Sequence, residues 1–353
     1  MKILHTADNH HDYFATRLGS MQIVNGKNAI YEERVQRTKN IVQVGMKEGV
    51  DFFVFAGDFF NKLKPPPQEY ADAMEIFDEI AKTKPVIIIA GNHDELTAKG
   101  CPLSVVRGRH KNIHVAWFID SFELNGVEFV LAPWGTDMVD IKRRRDECKP
   151  NLPKVLVYHV GVRMEGLHWA EVEGENGTVD FEHIEELGFD AVLMGHYHGQ
   201  TMFKSLGHPV TCYAGSPEMY TFGEEEQKKG FLIWTIDDKG KKISTFNSYE
   251  VPYPKFKTYS IEEFLHPNEV GFNGFVRVLG EASQEEIKAV FDKGKTFDCL
   301  GFRPALKNKM KAQKVFFVKG RSNKDILQNY LKAKKVDGID NLMKIDASIE
   351  EEI

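Results

Sequence analysis

The chain has 353 residues, enough for two to three folding units at roughly 150 residues each. Its 42% hydrophobic and 28% charged residues are ordinary for a globular protein with a sizeable core, and no apolar run approaches the roughly 18 residues of a membrane span. The net charge of −6 argues against a protein that coats nucleic acid along its whole surface, but the charge is uneven: residues 288–335 hold fourteen Lys and Arg against three Asp, a net of +11, leaving −17 on the rest. An acidic body with a basic segment reads as two regions with different partners, or as a solvated lysine face. Four scattered cysteines without a C-x-x-C pair exclude a disulfide scaffold or a cysteine zinc site. They suit a reducing compartment. With no apolar secretory stretch in MKILHTADNH, the expected location is the cytoplasm.

In chain order, Ile3-Leu4 begin a short strand that ends at Asp8, and a helix is predicted over 28–49. The run Phe52 to Ala56 is a buried-type strand ending at Gly57-Asp58, and Pro65-Pro66-Pro67 opens a helix over 68–82. Val86 to Ala90 is a third strand, ending at Gly91-Asn92-His93-Asp94. Continuous β-branched runs alternating with helices predict strands buried on both faces in a layered α/β fold. Further strands fall at 128–132, 155–160, 191–194, 210–214, 231–236 and 243–249, the last of them antiparallel. Pro252 and Pro254 mark a boundary. A small second domain follows, with a strand at 275–279 and a helix at 283–292 whose Ser283 and Glu286 form a capping box. An amphipathic helix is expected over 323–335, with Ile326, Leu327, Tyr330 and Leu331 on one stripe.

Ligand sites in open α/β sheets lie beyond the carboxyl ends of the strands. Here those ends carry Asp8-Asn9-His10, Gly57-Asp58, Asn92-His93-Asp94, His159 and His196-Tyr197-His198, and five of the thirteen histidines lie there. One such residue is usually a turn former or a cap. Five clusters after apolar strands point instead to a cation, because Asp, Asn and His are costly to bury unpaired. Oxygen and imidazole donors without thiolate suit Mn²⁺, Fe or Zn better than Mg²⁺ or Ca²⁺. Seven donors, Asp8, His10, Asp58, Asn92, His159, His196 and His198, are too many for one ion and suit two. Paired ions about 3.5–4 Å apart serve many phosphoesterases by stabilising both the attacking and the leaving oxygen. The bridging donor must offer two anionic oxygens, and Asp58 is the best candidate. If His196 and His198 lie on a strand, their imidazoles share a face and serve adjacent ions.

The order D-x-H, G-D, G-N-H-D, H, G-H-x-H, running from Asp8 to His198, resembles the calcineurin-like metallophosphoesterase superfamily. Within it the chain is similar to SbcD-type DNA double-strand-break repair nucleases, the nuclease subunits of SbcCD and MRN-type complexes. Tyr213-Ala214-Gly215-Ser216-Pro217, Phe222-Gly223-Glu224 and Lys229-Gly230-Phe231 carry this narrower likeness. The resemblance implies a layered β-sandwich core flanked by helices over 1–254, a small α+β DNA-binding cap over 255–315 and a helical tail over 316–353 that binds an ATPase. It implies one metal on Asp8, His10, Asp58 and His198, the other on Asp58, Asn92, His159 and His196, and catalysis by His93 together with Asp58. The cofactor implied is two Mn²⁺. The partners are DNA (duplex ends and single strands), an SbcC-type coiled-coil ABC ATPase, and a second copy in a homodimer. Asp94 is expected to cap a turn rather than orient His93.

The sequence departs from the family pattern at His11-Asp12, and at Asn61, where some members carry a histidine. The expected function is Mn-dependent 3′–5′ exonuclease on duplex ends and endonuclease on single strands. The competing readings are a small-substrate metallophosphoesterase, such as a cyclic-nucleotide phosphodiesterase, and a DNA-end-binding scaffold without turnover. Lysines 307, 309, 311 and 314 are candidates for phosphate contacts.

Overall fold

The structure is a computed structural model, and it describes residues 1–16, 23–95, 97, 100–163, 177–203, 210–236, 243–266 and 271–308. The tail helix expected over 323–335 and Lys309, Lys311 and Lys314 lie outside the described residues. The first half of the core contains β1 (Lys2–Thr6), a hairpin of β2 (Ile23–Val24) and β3 (Lys27–Asn28), α1 (Ala29–Lys47), β4 (Phe52–Ala56), α2 (Pro67–Ala81), β5 (Val86–Ile89) and β6 (Ile113–Ala116). The second half contains β7 (Asp120–Leu124), β8 (Val127–Ala132), α3 (Met138–Glu147), β9 (Lys154–His159), β10 (Gly161–Arg163), β11 (Thr178–Asp180), α4 (Phe181–Glu186), β12 (Ala191–Gly195), β13 (Thr201–Phe203) and β14 (Val210–Tyr213). The chain then continues through β15 (Phe231–Ile236), β16 (Ile243–Tyr249), β17 (Lys255–Ser260), α5 (Ile261–Leu265), β18 (Gly271–Ala282), α6 (Gln284–Gly294) and β19 (Asp298–Asn308).

Two six-stranded sheets result, ordered β16-β15-β1-β4-β5-β6 and β13-β14-β12-β9-β8-β7. Each has a parallel centre and antiparallel additions: β15 and β16 at one edge of the first sheet, β13 and β7 at the two edges of the second. Strand alternation explains the layering. In β4, Phe52, Val54 and Ala56 pack with Phe129, Leu131, Val157 and Leu193 of the other sheet, so the two sheets form a sandwich. Phe53 and Phe55 point the opposite way, onto Ile41 of α1 and Phe77 and Ile80 of α2. On the outer face of the second sheet, Leu156, Tyr158 and Val192 meet Ile141 of α3 and Ile184 of α4. Both sheets therefore bury both faces, which is why their strands lack polar alternation. The expected layered β-sandwich with flanking helices is the fold observed.

Local signals act as read. The Asn28 side chain caps α1 by accepting from the Ile30 and Tyr31 backbone N–H groups, and prolines start α2. The Ser283–Glu286 capping box is present, with Ser283 N–H donating to Glu286 at 2.8 Å. The strand expected at 275–279 is longer, spanning Gly271–Ala282 as β18 in a three-stranded sheet ordered β17-β18-β19. The chain divides into two compact units, one of residues 1–280 and 288–305, the other of 281–287 and 306–353. The first holds both sandwich sheets and the residues of the candidate metal centre. The four cysteines are free. Among the described residues, no helix is long and apolar enough to cross a membrane.

Candidate metal centre

The carboxyl ends of β1, β4 and β5 from one sheet and of β9 and β12 from the other meet at one rim of the sandwich. The chain stays zipped beyond the strands: Asp8 N–H donates to Gly57 O at 3.0 Å, and His10 N–H to Asp58 O at 3.0 Å. His159 crosses between the sheets, its Nδ1 2.8 Å from Ala56 O. Two glycines make room for this approach. A Cβ at Gly57 would lie 2.1 Å from His159 Nδ1, and one at Gly91 would lie 2.1 Å from Asp58 Oδ1. Four chemistry-bearing residues adopt left-handed backbone: Asp8 (φ 53°), His10 (43°), Asp58 (52°) and His196 (116°). Such conformations cost about 1–3 kcal/mol each outside glycine, and they cluster where the fold must aim side chains.

All seven expected donors converge. His10 Nε2 lies 3.0 Å from His198 Nε2 and 3.7 Å from Asp58 Oδ2. His159 Nε2 lies 3.6 Å from the same Asp58 oxygen and 3.1 Å from Asn92 Oδ1. Asn92 Oδ1 is also 3.1 Å from His196 Nδ1. Asp8 receives the His196 backbone N–H at 3.1 Å on both carboxylate oxygens. Three overlapping sets have donor atoms within 4.8 Å of one another: Asp8, His10 and His198; Asp8, Asp58 and His159; and His10, Asp58 and His93. Geometry alone therefore also admits His93 as a donor. The expectation that His196 and His198 share a strand face is not met. Strand β12 stops at Gly195, and the turn after it aims His196 at Asn92 and His198 at His10.

Asp8 and Asp58 are buried, as are His10 and His159. Burial pushes the Asp8 carboxyl up despite His159 and His198. Burial also acts to raise Asp58, but the imidazole of His159, with His10 and His93, outweighs it and holds Asp58 below the usual carboxylate range. Burial lowers His159, yet Asp58 and Asp8 raise it further, to about 9. Burial drives His10 well below its ordinary value. Anionic oxygens and imidazoles thus face one another out of water, an arrangement that calls for cations.

The outward ring nitrogens fit that requirement. Metal-binding imidazoles almost always donate their second N–H to a carboxylate or carbonyl, which fixes the tautomer. His159 Nδ1 faces Ala56 O, and His198 Nδ1 faces Glu224 Oε1 at 3.1 Å, leaving both Nε2 lone pairs turned inward. Divalent cations fit this donor set. His93 lines the same cleft of about 590 Å³ with Asn92, His196, His198 and Glu224. Its backbone N–H donates to Asp58 Oδ1 at 2.9 Å, and its Nδ1 faces Asn61 O at 3.0 Å.

The Asp94 carboxylate makes no hydrogen bond to the His93 ring. It accepts from Gly91 N–H at 2.5 Å and Phe59 N–H at 2.8 Å, stitching the two strand-end turns together. Burial and the nearby Asp58 charge push it up to about 8. The Asn61 side chain points at Asp12, donating at 3.0 Å, so its backbone carbonyl rather than its amide serves His93.

Sequence reasoning assigned no role to the residues that brace the centre. Glu224 is joined by buried Lys229 at 2.6 Å. Burial would raise the Glu224 carboxyl, but His198 and Lys229 hold it at about 2. Tyr220 Oη lies 2.7 Å from Asp8 O and 2.9 Å from Asn9 O. Glu218 accepts from both Arg34 and Arg37 of α1 at 2.5 Å. The available signal was the likeness in Phe222-Gly223-Glu224 and Lys229-Gly230-Phe231, which contain Glu224 and Lys229.

Residues 1–200 match the model of the calcineurin-like phosphoesterases, and the chain belongs to that family. It is an enzyme of the phosphoester-hydrolysing class. More narrowly, it is similar to the SbcD component of the SbcCD nuclease of Staphylococcus epidermidis, 26% identical over 270 residues that cover 70% of this chain and 69% of that one. It is also similar to the DNA double-strand break repair protein Mre11 of Methanocaldococcus jannaschii, 24% identical over 286 residues covering 76% and 72% of the two chains. The same protein of Methanococcus maripaludis is 26% identical over 253 residues, covering 66% of this chain and 62% of that one.

Proposed function

We propose that this protein is a metal-dependent DNA nuclease that hydrolyses phosphodiester bonds in break repair, recombination or replication. The observation that carries the reading is the convergence of seven donors beside the cleft that His93 lines. The names of the SbcD and Mre11 relatives point the substrate toward DNA. Asp8, His10, Asp58 and His198 would hold one cation, and Asp58, Asn92, His159 and His196 the other. Two Mn²⁺ suit this mixed oxygen and imidazole set. The chemistry such cations supply when bound is Lewis-acid stabilisation of phosphate charge and a nucleophile at neutral pH.

The protein's own groups do the rest. Asn61 O accepts from His93 Nδ1–H, which leaves Nε2 as the ring nitrogen for substrate. As an imidazolium, His93 donates from Nε2 to a phosphate oxygen or to the leaving oxygen as charge develops there. Its backbone N–H to Asp58 couples its position to the shared carboxylate. The Glu224 carboxylate and Ala56 O hold the imidazoles of His198 and His159 in one tautomer, so the donors need no rearrangement during turnover.

The finer reading is 3′–5′ exonuclease on duplex ends and endonuclease on single strands. The enzyme acts in the cytoplasm as a homodimer with an SbcC-type ATPase. The three-part division, nuclease 1–254, DNA-binding cap 255–315 and ATPase-binding tail 316–353, belongs to the same reading. The test is incubation with end-labelled duplex and single-stranded DNA, Mn²⁺ and a chelator control. Mn²⁺-dependent, chelator-sensitive shortening of DNA is expected. Cleavage of bis(p-nitrophenyl) phosphate or a cyclic nucleotide alone would favour the small-substrate phosphoesterase. Binding of DNA ends with no hydrolysis would favour the scaffold.

A further inference from the structure

The two halves of the metal centre are braced by different parts of the chain. At His159 the brace is backbone: Nδ1 faces Ala56 O at the end of β4, and the ring is fully buried. At His198 the brace is a side chain from elsewhere. The Glu224 carboxylate takes His198 Nδ1 on one oxygen at 3.1 Å, while its other oxygen takes Lys229 Nζ at 2.6 Å and the Tyr220 N–H at 3.0 Å. The Lys229 ammonium is wholly buried, and it also lies 3.0 Å from both His198 O and Ser216 Oγ. Lysine is almost never fully buried unless it is paired. Here the pairing holds both the backbone and the imidazole of one residue.

Tyr220 adds to the same side. Its ring stands edge-on to His10 and to His198, with centroids 5.2 Å away in each case. Its hydroxyl reaches the carbonyls of Asp8 and Asn9, the residues just before His10. The Arg34 guanidinium lies 4.6 Å from the Tyr220 ring centroid and donates to His10 O at 3.1 Å. The 216–229 segment therefore touches Asp8, His10 and His198. It makes no comparable brace for Asn92, His159 or His196 among the described residues.

We propose that Glu224, clamped by Lys229 and assisted by Tyr220, is a positioning residue that governs loading of one cation position only, the one bounded by Asp8, His10 and His198. This rests on the metal-centre reading above. At the position bounded by Asn92, His159 and His196 the brace is the Ala56 carbonyl behind His159, outside the 216–229 segment, and that position fills independently. The protein then holds one cation tightly and a second through the 216–229 segment. Partners such as Glu224 typically govern metal affinity by about 10–100-fold.

The test is Mn²⁺ titration of the full chain by electron paramagnetic resonance of free Mn²⁺, without substrate. Glu224→Gln alone leaves Lys229 buried and uncompensated, so the informative variant is the double Glu224→Gln with Lys229→Met, which removes both charges together. The parent is expected to bind two ions. The double variant is expected to keep one at parent affinity and to bind the other about 10–100-fold more weakly. Tyr220→Phe keeps the ring and is expected to weaken the same position by a smaller factor. Nitrogen-15 spectra of the metal-free parent are expected to show His198 protonated at Nδ1, a preference lost in the double variant.

Two ions bound at parent affinity in both variants would overturn the role of Glu224 and Tyr220 and leave the metal centre intact. Equal weakening of both positions would overturn the confinement to one. A parent that binds no Mn²⁺ would overturn the metal-centre reading itself.

Discussion

The strand-end side of the metal centre and the 216–229 side solve one problem by different means. Gly57-Asp58 and His159 follow parallel strands, and backbone groups hold them: Asp8 and His10 N–H bond to the Gly57 and Asp58 carbonyls, and Ala56 O stands behind His159. Glu218, Tyr220, Glu224 and Lys229 lie outside the sheets and α-helices, and buried charge pairs join Glu218 to α1 and Glu224 to Lys229. The first arrangement is rigid because moving one donor would move a sheet. The second depends on a few paired side chains, whose loss leaves an unpaired buried charge. In the proposed reading, the centre has one side set by the fold and one side set by side-chain chemistry.

The largest effect that tests this contrast is at the shared residue. Asp58→Ala is expected to empty at least one metal position and to take DNA cleavage below detection, as measured by elemental analysis beside the nuclease assay. Full metal content would show that Asp58 does not bridge the two sides. His93→Ala comes next. It lies on the strand-end side but, in this reading, is not a ligand. Cleavage is expected to fall by about 10²–10⁴-fold while both metals stay bound. Metal loss in that variant would make His93 a donor, which its distance to His10 and Asp58 permits.

The smallest effect concerns a brace distant from the cations. Glu69 of α2 is fully buried and accepts the Tyr13 N–H at 2.6 Å, tying down the loop after His10. Burial raises its carboxyl to about 7 from an ordinary value of 4.5. Between those values the folded state binds the proton and the unfolded state does not. Stability is therefore expected to fall as pH rises from about 4.5 through about 7, by no more than about 3 kcal/mol, and to be insensitive to this group above that range. Urea midpoints at pH 5.5 and 8 would check this. Glu69→Gln is expected to flatten the difference, and an unchanged pH slope would remove Glu69 as its source.

The legible part of the fold was the part written in local patterns. The apolar runs at Phe52 to Ala56 and Val86 to Ala90, and the prolines before α2, read directly as buried strands and a helix start. The donors were legible because Asp, Asn and His after such runs have no packing reason to be there. Strands β6, β7, β17 and β19 passed unremarked, since their burial is broken and they gain definition only from their neighbours. A shared face for His196 and His198 required both to lie on a strand, but β12 ends at Gly195, before the left-handed backbone at His196.

By itself the sequence determined the residue types at the strand ends, their order along the chain and the layered α/β class. Each of these follows from local periodicity and from side-chain chemistry. Only the tertiary structure decided which imidazole nitrogen faces inward, that Asp94 joins the turns after two different strands, and that Glu224 and Lys229 stand behind His198. Those outcomes depend on groups from opposite sheets and distant loops meeting out of water. There the energy of a buried charge is set by its partners in space, and spacing along the chain does not encode them.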